Sequence, residues 1–182
     1  MMEAYVFLAD GFEEVEGLTV VDLLRRAGIE TQMVSITGDL AITGSHGIAL
    51  KADVLFDEID AGAAQLFVLP GGMPGTNTLA AHEELGALLK EQAAAGKKIA
   101  AICAAPTVFG GLGLLVGKKA VCYPGLEGKL TGAVTSENSV EVDGNVTTSR
   151  GMGTAIPFGL CLVAQMRDQK TADELEKSIV FK

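Results

Sequence analysis

The sequence predicts an α/β fold in which parallel strands are joined by crossover helices. Short apolar runs alternate along the chain with amphipathic stretches, which is the pattern of that fold class. The chain has 182 residues, enough for one substantial hydrophobic core but short for two. We therefore expect a single domain that spans residues 1–182.

The first half of the chain alternates between strand and helix patterns. Gly28 ends an amphipathic stretch, and three glycines between residues 38 and 47 break the next one, which favours a hairpin. A helix cannot continue through Pro70-Gly71-Gly72, so the apolar run before it ends in a tight turn. The predicted elements are a strand Tyr5–Ala9, a helix Val15–Ala27, a strand Thr31–Ile36, a hairpin ending in Ile48–Lys51 and a strand Gln65–Leu69.

The second half contains the clearest buried strand, Lys98–Ile102, which is almost entirely apolar. Asp143-Gly144 is a typical two-residue hairpin turn between two further strands. The predicted elements are a helix Glu83–Ala95, the strand Lys98–Ile102, a helix with Pro106 in its first turn, strands Val140–Asp143 and Asn145–Thr148, a helix opened by Ser149–Thr154 and running to about Met166, and a last helix of about Ala172–Ser178.

Charge and hydropathy exclude several classes of partner. The net charge is −9, and the 14 Lys and Arg residues never cluster beyond pairs, so we expect no nucleic-acid partner. The apolar run Ala4–Ala9 has no basic residue before it, and apolar stretches fall short of the ~20 residues that span a bilayer. We therefore expect no membrane partner and a cytoplasmic location.

The three cysteines, Cys103, Cys122 and Cys161, are too few and too scattered for a disulfide framework. No CxxC pair suggests zinc, so we expect no metal. Cys103 differs from the other two because it lies between a predicted buried strand and a helix. Its side chain should project at the carboxyl end of the sheet, where open α/β folds place their sites.

The turn at Cys103 resembles the nucleophile elbow of hydrolases, in which the next residue's N–H helps to bind an oxyanion. Ala104 is that residue here, and Gly72, after the neighbouring strand, offers a second N–H because it has no side chain to block approach. The alternative is that Cys103 is a small buried core residue, as most free cysteines are.

Four segments, in order along the chain, resemble the ThiJ/PfpI superfamily in the branch of the parkinsonism-associated protein deglycase. They are Gly11-Phe12-Glu13-Glu14-Val15-Glu16, Leu69-Pro70-Gly71-Gly72, Ala100-Ala101-Ile102-Cys103-Ala104-Ala105-Pro106 and Thr148-Ser149-Arg150-Gly151-Met152-Gly153-Thr154. The resemblance spans nearly the whole chain. It implies a flavodoxin-like three-layer α/β/α sandwich with a mostly parallel sheet, and usually a homodimer.

The resemblance also implies roles for individual residues. Cys103 corresponds to the family nucleophile and Glu16 to the acidic partner that hydrogen-bonds to it. Gly72 and Ala104 correspond to the oxyanion-hole amides, and Arg26 to an arginine that reaches the partner subunit's site region. These five residues are the expected catalytic and binding set, together with Tyr123.

Tyr123 is a departure from the family pattern, because the best-known members carry a histidine there. Tyrosine donates a hydrogen bond but, with a reference pKa near 10, is a poor base at neutral pH. The other histidines, His46 and His82, are expected to be solvated surface residues. Ala104 also replaces the histidine of the superfamily's peptidases, and the His-Glu pair of glutamine amidotransferases is absent.

The acids that precede and begin the first predicted helix should differ in environment. Glu13 and Glu14 fit exposed acids at a helix N-terminus, favoured by the helix dipole. The motif places Glu16 towards the carboxyl end of the sheet, where burial would raise its pKa and keep it protonated. The helix after Cys103 is expected to lower the pKa of the thiol.

The resemblance implies a cofactor-free enzyme that converts α-oxoaldehydes such as methylglyoxal or glyoxal, a small carbonyl substrate, into hydroxy acids, or acts on their early adducts. Two alternatives remain open. One is an oxidative-stress sensor in which Cys103 is oxidised to a sulfinate that Glu16 stabilises. The other is a chaperone-like protein without turnover.

Overall fold

The computed structural model describes residues 2–181, which form eleven strands and six α-helices. The strands are β1 (Ala4–Leu8), β2 (Thr31–Ser35), β3 (Ala41–Thr43), β4 (Ala49–Lys51), β5 (Val54–Leu55), β6 (Leu66–Leu69), β7 (Lys98–Ile102), β8 (Lys119–Ala120), β9 (Val134–Thr135), β10 (Val140–Asp143) and β11 (Val146–Ser149). The helices are α1 (Glu14–Arg26), α2 (Gly75–Ala81), α3 (Glu83–Ala94), α4 (Pro106–Gly111), α5 (Ala155–Met166) and α6 (Gln169–Ser178).

Seven strands form the central sheet in the order β10-β11-β7-β6-β1-β2-β5. All neighbours pair in parallel except β10 and β11, which form the antiparallel hairpin predicted at Asp143-Gly144. Two small sheets, β3-β4 and β8-β9, lie outside it. The predicted flavodoxin-like α/β class with a mostly parallel sheet is confirmed.

Alternate residues of the central strands pack into two separate hydrophobic cores, one on each face of the sheet. The fold therefore has three layers, with helices on both sides of the sheet. In β1, Val6 and Leu8 belong to a cluster with residues of α1, α5 and α6. Tyr5 and Phe7 face the opposite way, into a cluster with residues of α2, α3 and α4. Because both faces are covered, all five residues of β1 are buried, which explains its unbroken apolar sequence.

Several elements differ from the sequence-based expectation. The short helix α2 was not predicted, since its seven residues lack a clear apolar period. The last helix begins three residues earlier than expected, because the Asp168 side chain caps it by accepting the Thr171 N–H at 2.7 Å. Among residues 2–181, no helix is long and apolar enough to cross a bilayer.

The central strands bring separate parts of the chain to one edge of the sheet. Strands β1, β6, β7 and β11 are neighbours, and Leu69 pairs with Ala101 while Ile102 pairs with Ser149. Because parallel strands end at the same edge, the segments that follow β1, β6, β7 and β11 converge there. The candidate site lies at that edge.

Two consecutive glycines in α4 have opposite environments. A Cβ on Gly110 would collide with the backbone carbonyl oxygen of Lys129, and the Leu130 Cα would lie 3.0 Å away. A Cβ on Gly111 would meet nothing within 4 Å. Of these two glycines, only Gly110 therefore brings the backbone of the helix into close contact with another segment.

We expect Gly110→Ala to lower the free energy of unfolding by roughly 1–3 kcal/mol, because backbone atoms must move to admit the methyl group. Gly111→Ala is the matched control and should be neutral or stabilising by up to about 1 kcal/mol, since alanine favours helix. Urea denaturation of both variants measures the difference. Equal stabilities would contradict the close backbone contact at Gly110.

Candidate active site

Cys103 adopts a left-handed backbone conformation at the point where β7 turns towards α4. Its φ is +64°, which is uncommon for a residue with a side chain and is typical of functional sites. The Cys103 N–H donates to the Ser149 carbonyl at 3.0 Å, and its carbonyl accepts the Tyr123 N–H at 2.7 Å. Hydrogen bonds on both sides of the residue therefore hold the elbow that the sequence predicts.

The backbone N–H groups of Gly72 and Ala104 both hydrogen-bond to the Cys103 sulfur. Gly72 has a φ of +91°, and a Cβ there would collide with the backbone of Glu13. A Cβ on Gly71 would lie 2.6 Å from both the Cys103 Cβ and a Glu16 carboxyl oxygen. The predicted residues Cys103, Glu16, Gly72 and Ala104 are thus brought together, and glycines 71 and 72 leave the space for them.

Glu16 lies in the first turn of α1 and is only 1% exposed. Its Oε2 accepts the Gly71 N–H at 2.9 Å, and its carboxyl group hydrogen-bonds with the Cys103 thiol. Burial raises the pKa of Glu16 to about 7, although the hydrogen bonds from Cys103 and Gly71 oppose the increase. Near neutral pH the carboxyl group therefore both takes up and gives back a proton, in line with the expected buried acid.

The expectation that the thiol of Cys103 has a lowered pKa is wrong. Burial raises its pKa to about 12, and the charge of Glu16 and its hydrogen bond add to the effect. The N–H groups of Ala104 and Gly72 act in the opposite direction but do not compensate. An ionised Glu16 therefore keeps the thiol protonated, whereas a protonated Glu16 can donate its hydrogen to a thiolate.

The two remaining predicted residues lie further out. Tyr123 is 53% exposed and lines a shallow cavity of about 360 Å³ with Arg150 and Met152. Arg26 lies in the last turn of α1, roughly 15 Å along the helix from Glu16, and its Nε donates to Asp22 at 2.6 Å. The structure does not bring Arg26 to Cys103 of its own chain, so its reach into a partner subunit stays a prediction.

The description of Glu13 and Glu14 as exposed acids is wrong, because their side chains are 15% and 4% exposed. Glu14 accepts the backbone N–H of His46 at 2.8 Å and that of Ile48 at 3.4 Å. Burial raises its pKa, but these bonds and one with the His46 ring outweigh burial and lower the pKa to about 2. Glu14 therefore fastens the β3–β4 loop to the N-terminus of α1, a contact between residues 32 positions apart that no local pattern signals.

The histidines partly follow expectation. His46 is 67% exposed, and its Nδ1 lies 3.1 Å from Glu14 and 3.5 Å from Glu13. Ligand atoms of these three residues lie within 4.8 Å of one another, the one such group in the part of the chain described. His82 is half-buried and caps α3 by accepting the Leu85 N–H.

The fold and the site define a class: a flavodoxin-like α/β protein with a left-handed cysteine between a strand and a helix, beside a buried carboxyl group. Residues 2–165 match the DJ-1/PfpI family, and the chain belongs to that family. The resemblance seen in the sequence is confirmed.

The chain is 39% identical over 177 residues to DJ-1 homolog B of Arabidopsis thaliana, covering 96% of this chain and 40% of that relative's length. It is 30% identical over 154 residues to a deglycase of Pyrococcus abyssi, covering 84% of this chain and 92% of that protein. Among solved structures, oxidized DJ-1 of Toxoplasma gondii superposes with a TM-score of 0.94 at 34% identity, covering 99% and 98% of the two chains.

The raised pKa of Glu16 predicts a pH-dependent stability. An acid whose pKa rises on folding stabilises the protein most below its unfolded value of 4.5, and this stabilisation is lost as the pH rises through about 7. The Glu16→Gln variant lacks this titration. Between pH 5 and pH 8, its free energy of unfolding should therefore rise by roughly 2–3 kcal/mol relative to that of the wild type.

Urea denaturation of both proteins at the two pH values measures this change. Glu84→Gln makes the same substitution on an exposed surface of α3 and serves as the control. If the free energies of unfolding of Glu16→Gln and the wild type differ by the same amount at both pH values, Glu16 has the same pKa in the folded protein as in the unfolded chain.

Proposed function

We propose that this protein is a cofactor-free enzyme that converts α-oxoaldehydes such as methylglyoxal and glyoxal into hydroxy acids, or acts on their early adducts. The observation that carries the proposal is the hydrogen bond between Glu16 and the Cys103 thiol beneath the N–H groups of Gly72 and Ala104. The similarity to a deglycase supports it.

The first step is addition of sulfur to the aldehyde carbon. Because the thiol has a raised pKa, it needs a base at the moment of attack, and the ionised Glu16 carboxylate accepts its proton. The new C–S bond forms as the carbonyl π electrons move to oxygen. The Gly72 and Ala104 N–H groups stabilise that oxyanion, which then takes the proton from Glu16 to give a neutral hemithioacetal.

The second step moves hydrogen between the two substrate carbons. The Glu16 carboxylate, ionised again, removes the proton from the former aldehyde carbon and returns one to the neighbouring ketone carbon, while the hydroxyl proton of the hemithioacetal passes to the ketone oxygen. The aldehyde carbon becomes a thioester while the ketone becomes an alcohol, so no external oxidant is needed. Water then hydrolyses the thioester, which releases the hydroxy acid and regenerates the thiol.

Glu16 suits these repeated transfers because its pKa of about 7 matches neutral pH. A carboxylate with an ordinary pKa would be a weaker base, and a permanently protonated one could not accept the thiol proton. Tyr123, whose N–H binds the Cys103 carbonyl, is proposed to donate a side-chain hydrogen bond to the substrate, since it cannot act as a base.

A homodimer in the cytoplasm is part of the proposal. The apolar residues Val15, Leu18 and Val180 are 45%, 37% and 88% exposed, and a cavity joins Leu18, Val180 and Arg26 on this face. A second copy packed on α1 would cover these side chains and bring its own Arg26 towards the neighbouring site. The geometry of a single chain leaves Arg26 without a role in its own site.

The alternative function is an oxidative-stress sensor. The same N–H groups and the Glu16 carboxyl would hold the oxygens of a Cys103 sulfinate, and the similar Toxoplasma gondii structure is of an oxidized protein. The raised thiol pKa weighs against this function, because peroxide reacts with thiolates and not with thiols.

We expect the purified protein, without glutathione or added metal, to convert methylglyoxal to lactate. Cys103→Ala should reduce the rate to background, and Glu16→Gln should reduce it about 10²- to 10⁴-fold because a general base is lost. Cys161→Ala, which removes another half-buried thiol, is the control and should leave the rate unchanged. Turnover that persists in Cys103→Ala would refute the proposal.

Peroxide titration followed by intact-mass measurement distinguishes the sensor. A stoichiometric gain of about 32 Da on Cys103, corresponding to two oxygen atoms, together with negligible turnover would favour the sensor. We expect turnover with slow oxidation instead. Glu16→Gln should change oxidation much less than it changes turnover, because oxidation does not require proton transfer between carbons.

A further inference from the structure

A cleft is lined by residues of two segments that both hydrogen-bond to the backbone of Cys103. One wall carries Tyr123, whose N–H binds the Cys103 carbonyl. The other wall carries Arg150, and the carbonyl of the residue before it, Ser149, accepts the Cys103 N–H. Both walls of the cleft, whose volume is about 360 Å³, are therefore held by hydrogen bonds to the Cys103 backbone. Met152, 56% exposed, extends the rim.

Arg150 differs from the other three arginines of the chain. Arg25, Arg26 and Arg167 each bond a carboxylate, at 2.6, 2.6 and 2.8 Å. Within residues 2–181, the Arg150 guanidinium donates to the backbone carbonyl of Glu137 at 3.2 Å, and no carboxylate forms an ion pair with it. A half-buried guanidinium with five donors and one carbonyl partner has the capacity to bind an anion.

The charges around the cleft favour the same interpretation. The protein carries a net charge of −9, so an anionic ligand is repelled unless a local cation attracts it. Glu127 and Arg150 affect the pKa of the Cys122 thiol in opposite directions, because Glu127 raises it and Arg150 lowers it. The Glu127 carboxylate accepts the Gly125 N–H at 2.8 Å. Among the residues that the structure describes, no acid forms an ion pair with Arg150, so its positive charge in the cleft is available to a ligand.

We propose that Arg150 binds a carboxylate of the substrate, so that the favoured substrate class is α-oxoaldehydes that carry a carboxylate a few bonds from the reacting carbonyl. This inference rests on the proposed function, because it names the substrate of that same site. Arg150 acts in binding and specificity. The proton transfers remain with Glu16 and the covalent bond with Cys103.

The chemistry is unchanged by the additional carboxylate. For 4,5-dioxopentanoate, the aldehyde carbon is oxidised to the acid level and the adjacent ketone is reduced to an alcohol, with one water consumed and 2-hydroxyglutarate formed. The distal carboxylate neither gains nor loses a proton in the reaction. It gives Arg150 a bidentate partner that holds the aldehyde over the sulfur.

The first test compares 4,5-dioxopentanoate with 2-oxopentanal, in which a methyl group replaces the distal carboxylate. The wild type should show a kcat/KM at least roughly tenfold higher for the anionic substrate, mainly through KM. Arg150→Gln should bring the ratio close to one by raising KM for the anionic substrate, and Arg150→Lys should keep part of the preference. Lys170→Gln, which removes an 83% exposed charge, is the control and should leave the ratio unchanged.

A second test needs no turnover. Alkylation of Cys103 by iodoacetate and by iodoacetamide compares an anion with a neutral reagent of similar size. The ratio of the iodoacetate rate to the iodoacetamide rate is normalised to the same ratio for a small free thiol. It should fall several-fold in Arg150→Gln, which lacks the positive charge. In the wild type it should fall as salt is added, because salt screens the attraction. Circular dichroism and urea denaturation verify that each variant is folded.

The outcomes separate the two proposals. Turnover of methylglyoxal without preference for the anionic substrate overturns the role of Arg150 and leaves the proposed function intact. If no aldehyde is turned over, the proposed function fails, and the alkylation ratio alone decides whether the cleft attracts anions. A ratio of alkylation rates that is unchanged in Arg150→Gln overturns the inference.

Discussion

The site depends on one physical constraint, the burial of the Glu16 carboxyl group against the Cys103 sulfur. Burial raises the pKa of both groups, and the negative charge of either opposes ionisation of the other. The pair therefore carries a single negative charge more readily than two, and a proton can reside on oxygen or on sulfur. Neither residue in isolation would have this property in water.

The fold supplies the pair with its geometry because three consecutive strands of the sheet end beside one another. The segment after β1 leads into the helix that carries Glu16, the segment after β6 provides Gly71 and Gly72, and β7 ends at Cys103. Absence of a side chain at Gly71 allows the acid and the sulfur to approach, and the left-handed backbone of Cys103 directs the sulfur towards the N–H groups. The strain at Cys103 is tolerated because the hydrogen bonds of its N–H to Ser149 and of its carbonyl to Tyr123 fix the elbow.

The sequence predicted those parts of the site that local pattern and family resemblance encode. Cys103, Glu16, Gly72 and Ala104 follow or flank predicted strand ends, and they meet in the structure. What it could not predict depends on solvent exclusion and on distant segments. The burial of Glu14 requires a hairpin 32 residues away, and the raised thiol pKa reflects the depth of the sulfur and its acidic neighbour. Arg26 is a different case, because its expected role involves a second chain.

The raised thiol pKa changes which chemistry the site favours. A sensor requires a thiolate in the resting protein, since oxidants react with the anion, and a thiol with a pKa of about 12 offers little of it. An enzyme requires the thiolate only while substrate is bound, and it can be formed then by transfer of the proton to a neighbouring base. Glu16, with a pKa of about 7, is ionised often enough at neutral pH to be that base and weak enough as an anion to give the proton back. A protonated thiol at rest also protects the nucleophile from oxidation between turnovers. The same burial that makes Cys103 a poor sensor therefore makes the pair with Glu16 suited to catalysis.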